Sequence, residues 1–193
     1  SPAVSGDTVV VPYSSGEVIA FKASTGDPVW ADSLTRTQLF SSVAGINEVA
    51  ARPVISGGMV FAVSVSGRMV AVNQKTGERL WTRNISSTQM PLVAGETVFV
   101  VSMSGQLVAL ERSSGKVRWT TKLPGETRTR WHGPVLGGGR LWLSSSGKKL
   151  VAVDAASGQI AGNQELGRAS FIAPIIASGR LILLLDDGTL AAI

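Results

Sequence analysis

Apolar residues along this 193-residue chain come in short runs, among them Thr8 to Val11, Val60 to Val63, Val98 to Val101 and Leu181 to Leu185. Each run either alternates with polar residues or is continuously β-branched, and each is bounded by Gly, Ser, Thr or Asp, which predicts buried strands. No stretch holds a 3.6-residue period with caps, so no long helix is expected. The runs belong to a phrase that recurs five times. A Pro or small residue precedes two apolar residues, a turn, a strand, Ser-Gly (Asp-Gly in the fifth copy) and a strand ending in Ala. Four copies continue into a second turn built on Gly. The clearest runs from Arg52-Pro53-Val54-Ile55 through Gly57-Gly58 and Gly67 to Gly77 and Trp81. The glycines that precede the third strand fall at Gly16, Gly67, Gly105, Gly147 and Gly188, spaced by 51, 38, 42 and 41 residues. Self-similarity at that spacing is the mark of a repeat architecture.

Each copy parses into four strands: A after the Pro, B after the first turn, C after the Ser-Gly or Asp-Gly, and D at the Trp. Four antiparallel strands in roughly 40 residues make one blade of a β-propeller. The fold class expected is all-β, with blades at about 1–33, 50–84, 89–122, 132–166 and 172–193, the last without strand D. The turn chemistry agrees. B–C turns are read at Ser15-Gly16, Ser66-Gly67, Ser104-Gly105, Ser146-Gly147 and Asp187-Gly188, and C–D turns at Thr25-Gly26, Thr76-Gly77, Ser114-Gly115 and Ser157-Gly158. Gly supplies the positive φ of tight hairpins while Ser, Thr or Asp bonds the local backbone. Gly137-Gly138-Gly139 is read as a turn too, because no glycine here leads into a helix or a Gly-Lys-Ser/Thr sequence.

The segment from Ala71 to Trp81 looks like the tryptophan-docking motif of quinoprotein-like propellers, and Ala20 to Trp30 and Ala109 to Trp119 repeat its spacing. A fourth copy begins at Ala152, but Gly162 stands where the Trp would be. The resemblance implies that Trp30, Trp81 and Trp119 pack between neighbouring blades, with Gly26, Gly77, Gly115 and Gly158 as the docking turns. At Gly162 the junction should be weaker or filled by another residue. The WD-type propeller is set aside, since there is no Trp-Asp pair. The fifth copy stops at Ile193 after strand C, so the chain is expected to be about four and three-quarter blades of an eight-bladed ring, a fragment of a longer parent. Its open blade faces and unpaired edge are expected to make it either self-associate or stay soluble only with help.

Composition narrows the chemistry. With 44% hydrophobic and 16% charged residues, the chain is too apolar for disorder, and it has no apolar run long enough to cross a membrane as a helix. The net charge of +5 is scattered, its densest stretch being Arg128, Arg130 and His132, which argues against nucleic acid. There is no cysteine, hence no disulfide or thiolate site, and this fits an exported bacterial protein. A quinoprotein-like fold raises the question of a dehydrogenase using pyrroloquinoline quinone and Ca²⁺. Hard-cation sites need several converging oxygens, whereas the 13 acidic residues fall mostly in turns and Asp186-Asp187 is the only acidic pair. A single histidine leaves no multi-His metal site, and no Ser sits in a nucleophile elbow. The expectation is a non-enzyme without cofactor or metal. The alternatives are a fragment of a quinone-dependent dehydrogenase and a ligand-binding or sensor propeller.

The order of features resembles the C-terminal half of the BamB family, lipoprotein subunits of the machine that inserts β-barrel proteins into the bacterial outer membrane. The likeness covers the whole chain, including Pro53-Val54-Ile55-Ser56-Gly57 and the final Asp186-Asp187-Gly188-Thr189-Leu190. It implies a scaffold in the periplasm, at the inner face of the outer membrane of a Gram-negative bacterium, tethered only through the parent's lipid anchor. It also implies docking on the periplasmic POTRA domains of BamA through the D–A loops, and help in delivering unfolded outer-membrane proteins. The longest D–A connection, residues 31–51, carries Arg36, Leu39, Phe40, Ile46, Asn47 and Glu48, and long irregular loops are where function concentrates. Glu48 falls where the family has an acidic contact, while Ala50 departs from a second one. Arg128, Arg130 and Trp131 in the loop before the fourth blade have the composition of an interface hot spot. A Trp tucked under its loop with solvated arginines is the plainer alternative.

Overall fold

The structure, a computed structural model, describes residues 1–35, 49 and 51–193. The first sheet holds β1 (Ala3–Ser5), β2 (Thr8–Pro12), β3 (Glu17–Lys22) and β4 (Pro28–Ser33). The second holds β5 (Val54–Ser56), β6 (Met59–Val63), β7 (Met69–Asn73) and β8 (Arg79–Arg83). The third holds β9 (Leu92–Ala94), β10 (Thr97–Val101), β11 (Gln106–Glu111) and β12 (Val117–Lys122). The fourth holds β13 (Trp131–Gly137), β14 (Arg140–Ser145), β15 (Lys149–Asp154) and β16 (Ile160–Glu165). The fifth has three strands, β17 (Ile175–Ala177), β18 (Arg180–Leu184) and β19 (Leu190–Ala192). Strands neighbour one another in chain order in every sheet, the up-and-down meander of a propeller blade.

The chain divides into two compact units, Ser1–Val98 with Glu111–Lys116, and Phe99–Leu110 with Val117–Ile193. In the first, the core lies between successive sheets: Val10, Val18, Ala20 and Trp30 of one blade meet Val60, Ala62, Val70 and Val72 of the next. In the second, Leu150 of the fourth blade meets Leu181 and Leu183 of the fifth. Strands β7 and β15 are buried on both faces over four consecutive residues, whereas β18 alternates, as one covered face requires. The A strands approach one another, β1 with β5, β5 with β9, and β13 with β17.

One irregularity repeats in all four complete blades. The C–D ladder slips one residue directly after the docking alanine, at Ala20/Phe21, Ala71/Val72, Ala109/Leu110 and Ala152/Val153. Each slip leaves one strand-D residue unpaired, namely Val29, Leu80, Arg118 or Ala161. Such a bulge re-aims the neighbouring side chain, and that neighbour is the docking position. Opposite the alanines stand Trp30, Trp81, Trp119 and Gly162.

Each indole lies over the C–D turn glycine one repeat further on. A Cβ on Gly77 would come within 2.6 Å of Trp30, one on Gly115 within 2.7 Å of Trp81, and one on Gly158 within 2.6 Å of Trp119. Trp30 Nε1 donates to the Gln74 carbonyl and Trp81 Nε1 to that of Arg112, both at 2.8 Å. Gly26 has the same conformation, φ +78°, but open space above it. In the fourth blade the large aromatic stands two strands inward, on strand B. Trp142, cross-strand from Ala152, stands where the second blade has Phe61, and it packs on Leu150, Leu181 and Leu183. The gap that Gly162 leaves on strand D is thus offset from strand B, and Trp142 Nε1 bonds its own blade at Gly137 O.

Candidate binding face

D–A connections and B–C turns emerge on the same side of each blade, and backbone hydrogen bonds tie them together. Directly after strand D, Leu34, Leu123 and Leu166 donate their N–H to the carbonyls of Gly16, Gly105 and Lys148. Leu34 and Leu123 are buried, which seats the start of the connection against the core. In the turns themselves, Ser64 and Ser145 bond across the hairpin through their hydroxyls, to Arg68 N and O and to Lys149 N and O. Both serines are fully buried, so their hydroxyls have to be satisfied within the protein.

The fourth turn differs from the sequence reading. The positive φ falls on Lys148, at +61°, rather than on Gly147. The turn spans 145–148 because Ser145 takes the position of Ser64 and Ser102, and the ladder then continues at Lys149. Proline spacing carries the same message, with Pro134, inside β13, coming 43 residues after Pro91 and Pro174 another 40 later.

Arg36, Leu39, Phe40, Ile46, Asn47 and Glu48 lie outside the described residues. Arg128 and Arg130 are exposed, and neither has an ion-pair partner among the described residues. Trp131 does not share their exposure: it opens β13, is 5% exposed, and lies beside the Gly105 turn. The Arg-Arg-Trp cluster of the sequence is therefore two solvated cations above a packed indole.

His132 is the only histidine. Its Nε2 is buried without a hydrogen-bond partner among the described residues, and its ring meets Phe171 edge-on at 6.3 Å. Burial first, and the Arg130 charge second, hold its pKa below the usual 6.5. The unfolded chain therefore takes up a proton near neutrality that the folded chain resists. The corresponding stability is present above the unfolded pKa of about 6.5 and is lost as pH falls through the lowered folded value. The urea midpoint should drop more steeply between about pH 7.5 and about pH 5.5 in the parent chain than in His132→Gln. Equal slopes would remove His132 from the balance.

On the other side of the blades, in the first unit, the A–B turns of the first two blades and the C–D turn of the second border a cleft of about 650 Å³ lined by Ser5, Asp7, Thr8, Gly58, Asn73 and Gln74, among others. Gln74 Nε2 bonds Ser5 O and Thr8 Oγ1 across it and so serves the blade junction, while Asp7 is occupied by Ser24 of its own blade. Among the described residues no three His, Asp or Glu converge on one point. Asp187 is engaged by Thr189 N and Arg168.

Two residues went unmarked in the sequence. Phe171 and Ile172, in the D–A connection 166–174, are 58% and 52% exposed. An apolar pair between Ser170 and Pro174, outside any strand pattern, was the available signal.

Comparison with known proteins places this fold. A family profile described as outer membrane protein assembly factor BamB matches residues 1–121 and 121–193. The outer membrane protein assembly factor BamB of Moranella endobia is 24% identical over 194 residues, covering 100% of this chain and 49% of that protein. That of Alkalilimnicola ehrlichii is 27% identical over 195 residues, covering 100% and 50%. The crystal structure of BamB from Moraxella catarrhalis superposes with a TM-score of 0.80 at 22% identity, over 99% of this chain and 56% of that one. The chain thus spans about half the length of the curated relatives it matches.

Proposed function

Because this chain belongs to the outer membrane protein assembly factor BamB family, we propose that it acts by binding alone, in the assembly of outer-membrane proteins. On this reading the blades act as a platform in the periplasm, at the inner face of the outer membrane. The D–A face docks on the periplasmic POTRA domains of BamA, and the outer edges of the D strands take up unfolded barrel segments by strand addition. The observation that carries the reading is the build of that face. Its connections differ in length, yet three of them start pinned to a B–C turn, at Leu34, Leu123 and Leu166. Fixing where a connection leaves its blade lowers the ordering cost of binding, as a docking surface needs.

Calorimetric titration of the chain against purified BamA periplasmic domains, with Glu48→Arg alongside, tests it. Binding weakened about tenfold or more by the variant is the expected result. Equal binding by both would move the contact to the Arg128 and Arg130 connection. No binding by either would remove BamA as the partner of this chain.

A further inference from the structure

Phe171 and Ile172 are held outward by buried polar anchors. Ser144 Oγ donates to Ile172 O at 2.8 Å, and Ser170 N donates to Ser145 O at 3.1 Å. Ser170 Oγ lies 3.2 Å from Ile172 O and 3.0 Å from Leu184 O, while Asp186 N donates to Ala169 O. Ser144, Ser145 and Ser170 are all at most 1% exposed. Turning the apolar pair inward would break these bonds and strand buried hydroxyls, which is costly. The pair is therefore displayed on a backbone fixed in advance.

The same B–C turn is gripped from its other side. Arg130 N donates to Ser146 Oγ at 2.9 Å, and Arg130 O accepts from Ser146 N at 2.9 Å. Two connections thus clasp adjacent residues of one turn, Arg130 at Ser146 and the Phe171 segment at Ser144 and Ser145. His132 joins them, its ring against Phe171 and its proton affinity lowered first by burial and then by the Arg130 charge. The result is an exposed Phe-Ile pair on one connection and exposed Arg128 and Arg130 on the other, and among the described residues the carboxylate Glu126 is paired with neither arginine.

We infer that this clasp is a docking site for an acidic segment of a partner protein that carries a large apolar side chain. The apolar residue covers Phe171 and Ile172 while its flanking carboxylates meet Arg128 and Arg130. Aromatic and Arg side chains are the composition enriched at protein interfaces, and unpaired guanidinium groups ask for carboxylates in bidentate geometry. A membrane surface fits less well, because electrostatic attachment there takes clusters of about four to eight basic residues. The inference rests on the reading of the D–A face as the binding face, but names a chemistry and a place that the BamA contact at Glu48 does not supply.

The test uses fluorescein-labelled peptides alternating Asp with Leu and Phe, read by anisotropy against the chain. Control peptides carry Lys for Asp, or Ser for Leu and Phe. The acidic apolar peptide should bind and the controls should not. Binding should weaken about tenfold in Phe171→Ser with Ile172→Ser, and by a similar factor in Arg128→Glu with Arg130→Glu. These four side chains are exposed, so unchanged thermal midpoints are expected, and should the apolar variant fail to fold the arginine variant decides. Equal binding of the Lys peptide, no binding of the acidic one, or indifference to the variants would overturn the proposal. So would capture by phosphatidylglycerol vesicles that depends on the same residues without peptide binding. Because BamA is absent from this assay, its failure and the failure of the BamA titration are read separately.

Discussion

Replacing Trp81 with alanine is expected to destabilise its unit by about 3–5 kcal/mol, the range for emptying a large buried aromatic site. The indole is 6% exposed, and three neighbours constrain it. Its face lies on Gly115, its Nε1 holds Arg112 O at 2.8 Å, and Phe61 sits 5.9 Å away at 43°. Alanine cannot refill that space, because Ala71 directly opposite is already small and the bulged strand cannot shift register without turning every side chain over. The Arg112 carbonyl would also lose its donor, in a segment that holds Arg112 to Ser56 O. At about 2–4 °C per kcal/mol for a chain of this size, the thermal midpoint should fall by about 6–20 °C. Guanidinium unfolding followed by Trp fluorescence and circular dichroism checks it. A loss below about 1 kcal/mol would mean that the indole does not join the blades. Trp119 is only half-buried, so Trp119→Ala should cost less in its own unit.

These same residues show why so much of the fold was legible. The Ala, Gly and Trp spacing appears in the sequence because each member answers a steric need: room opposite the indole, a positive φ, and an aromatic to span the junction. The bulge after each alanine is part of that spacing, although it is invisible until the register is known. The fourth turn was misplaced for the same kind of reason. Gly147 carried the expected residue type, but the ladder at Ser145 and Lys149 decides where the left-handed residue falls, and Lys148 bears it. Proline spacing was the better guide there, because Pro134 is buried within β13 whatever the turn does.

The binding face was legible only as a place. Loop composition singled out Arg128, Arg130 and Trp131 together, and the structure separates them, since β13 begins at Trp131 and draws it inward. Phe171 was passed over because exposure of a loop residue depends on where its backbone is tied, and those ties run to serines distant in sequence. Glu48 lies outside the described residues, and its part in the face follows from family position.

Gly115→Ala should cost about 3–4 kcal/mol, and Gly26→Ala should cost only about 1–2. Both glycines are left-handed, at φ +65° and +78°, so alanine meets the same backbone strain at each. What differs is the space above them. A Cβ on Gly115 would lie 2.7 Å from Cδ2 and 2.8 Å from Cε3 of Trp81, whereas nothing lies within 4 Å of one on Gly26. The difference between the two variants therefore measures the close approach of the indole, free of the conformational term. A double-mutant cycle sharpens it: in a Trp81→Ala background, Gly115→Ala should fall to the Gly26 cost, because the ring that collides with the methyl is gone. If the two glycines cost the same in the parent chain, the turn needs glycine for its backbone alone and the indole merely rests near it. If Gly115→Ala keeps its full cost without Trp81, the strain lies elsewhere in the turn, and Arg83, which bonds Gly115 O at 2.6 Å, is where to look.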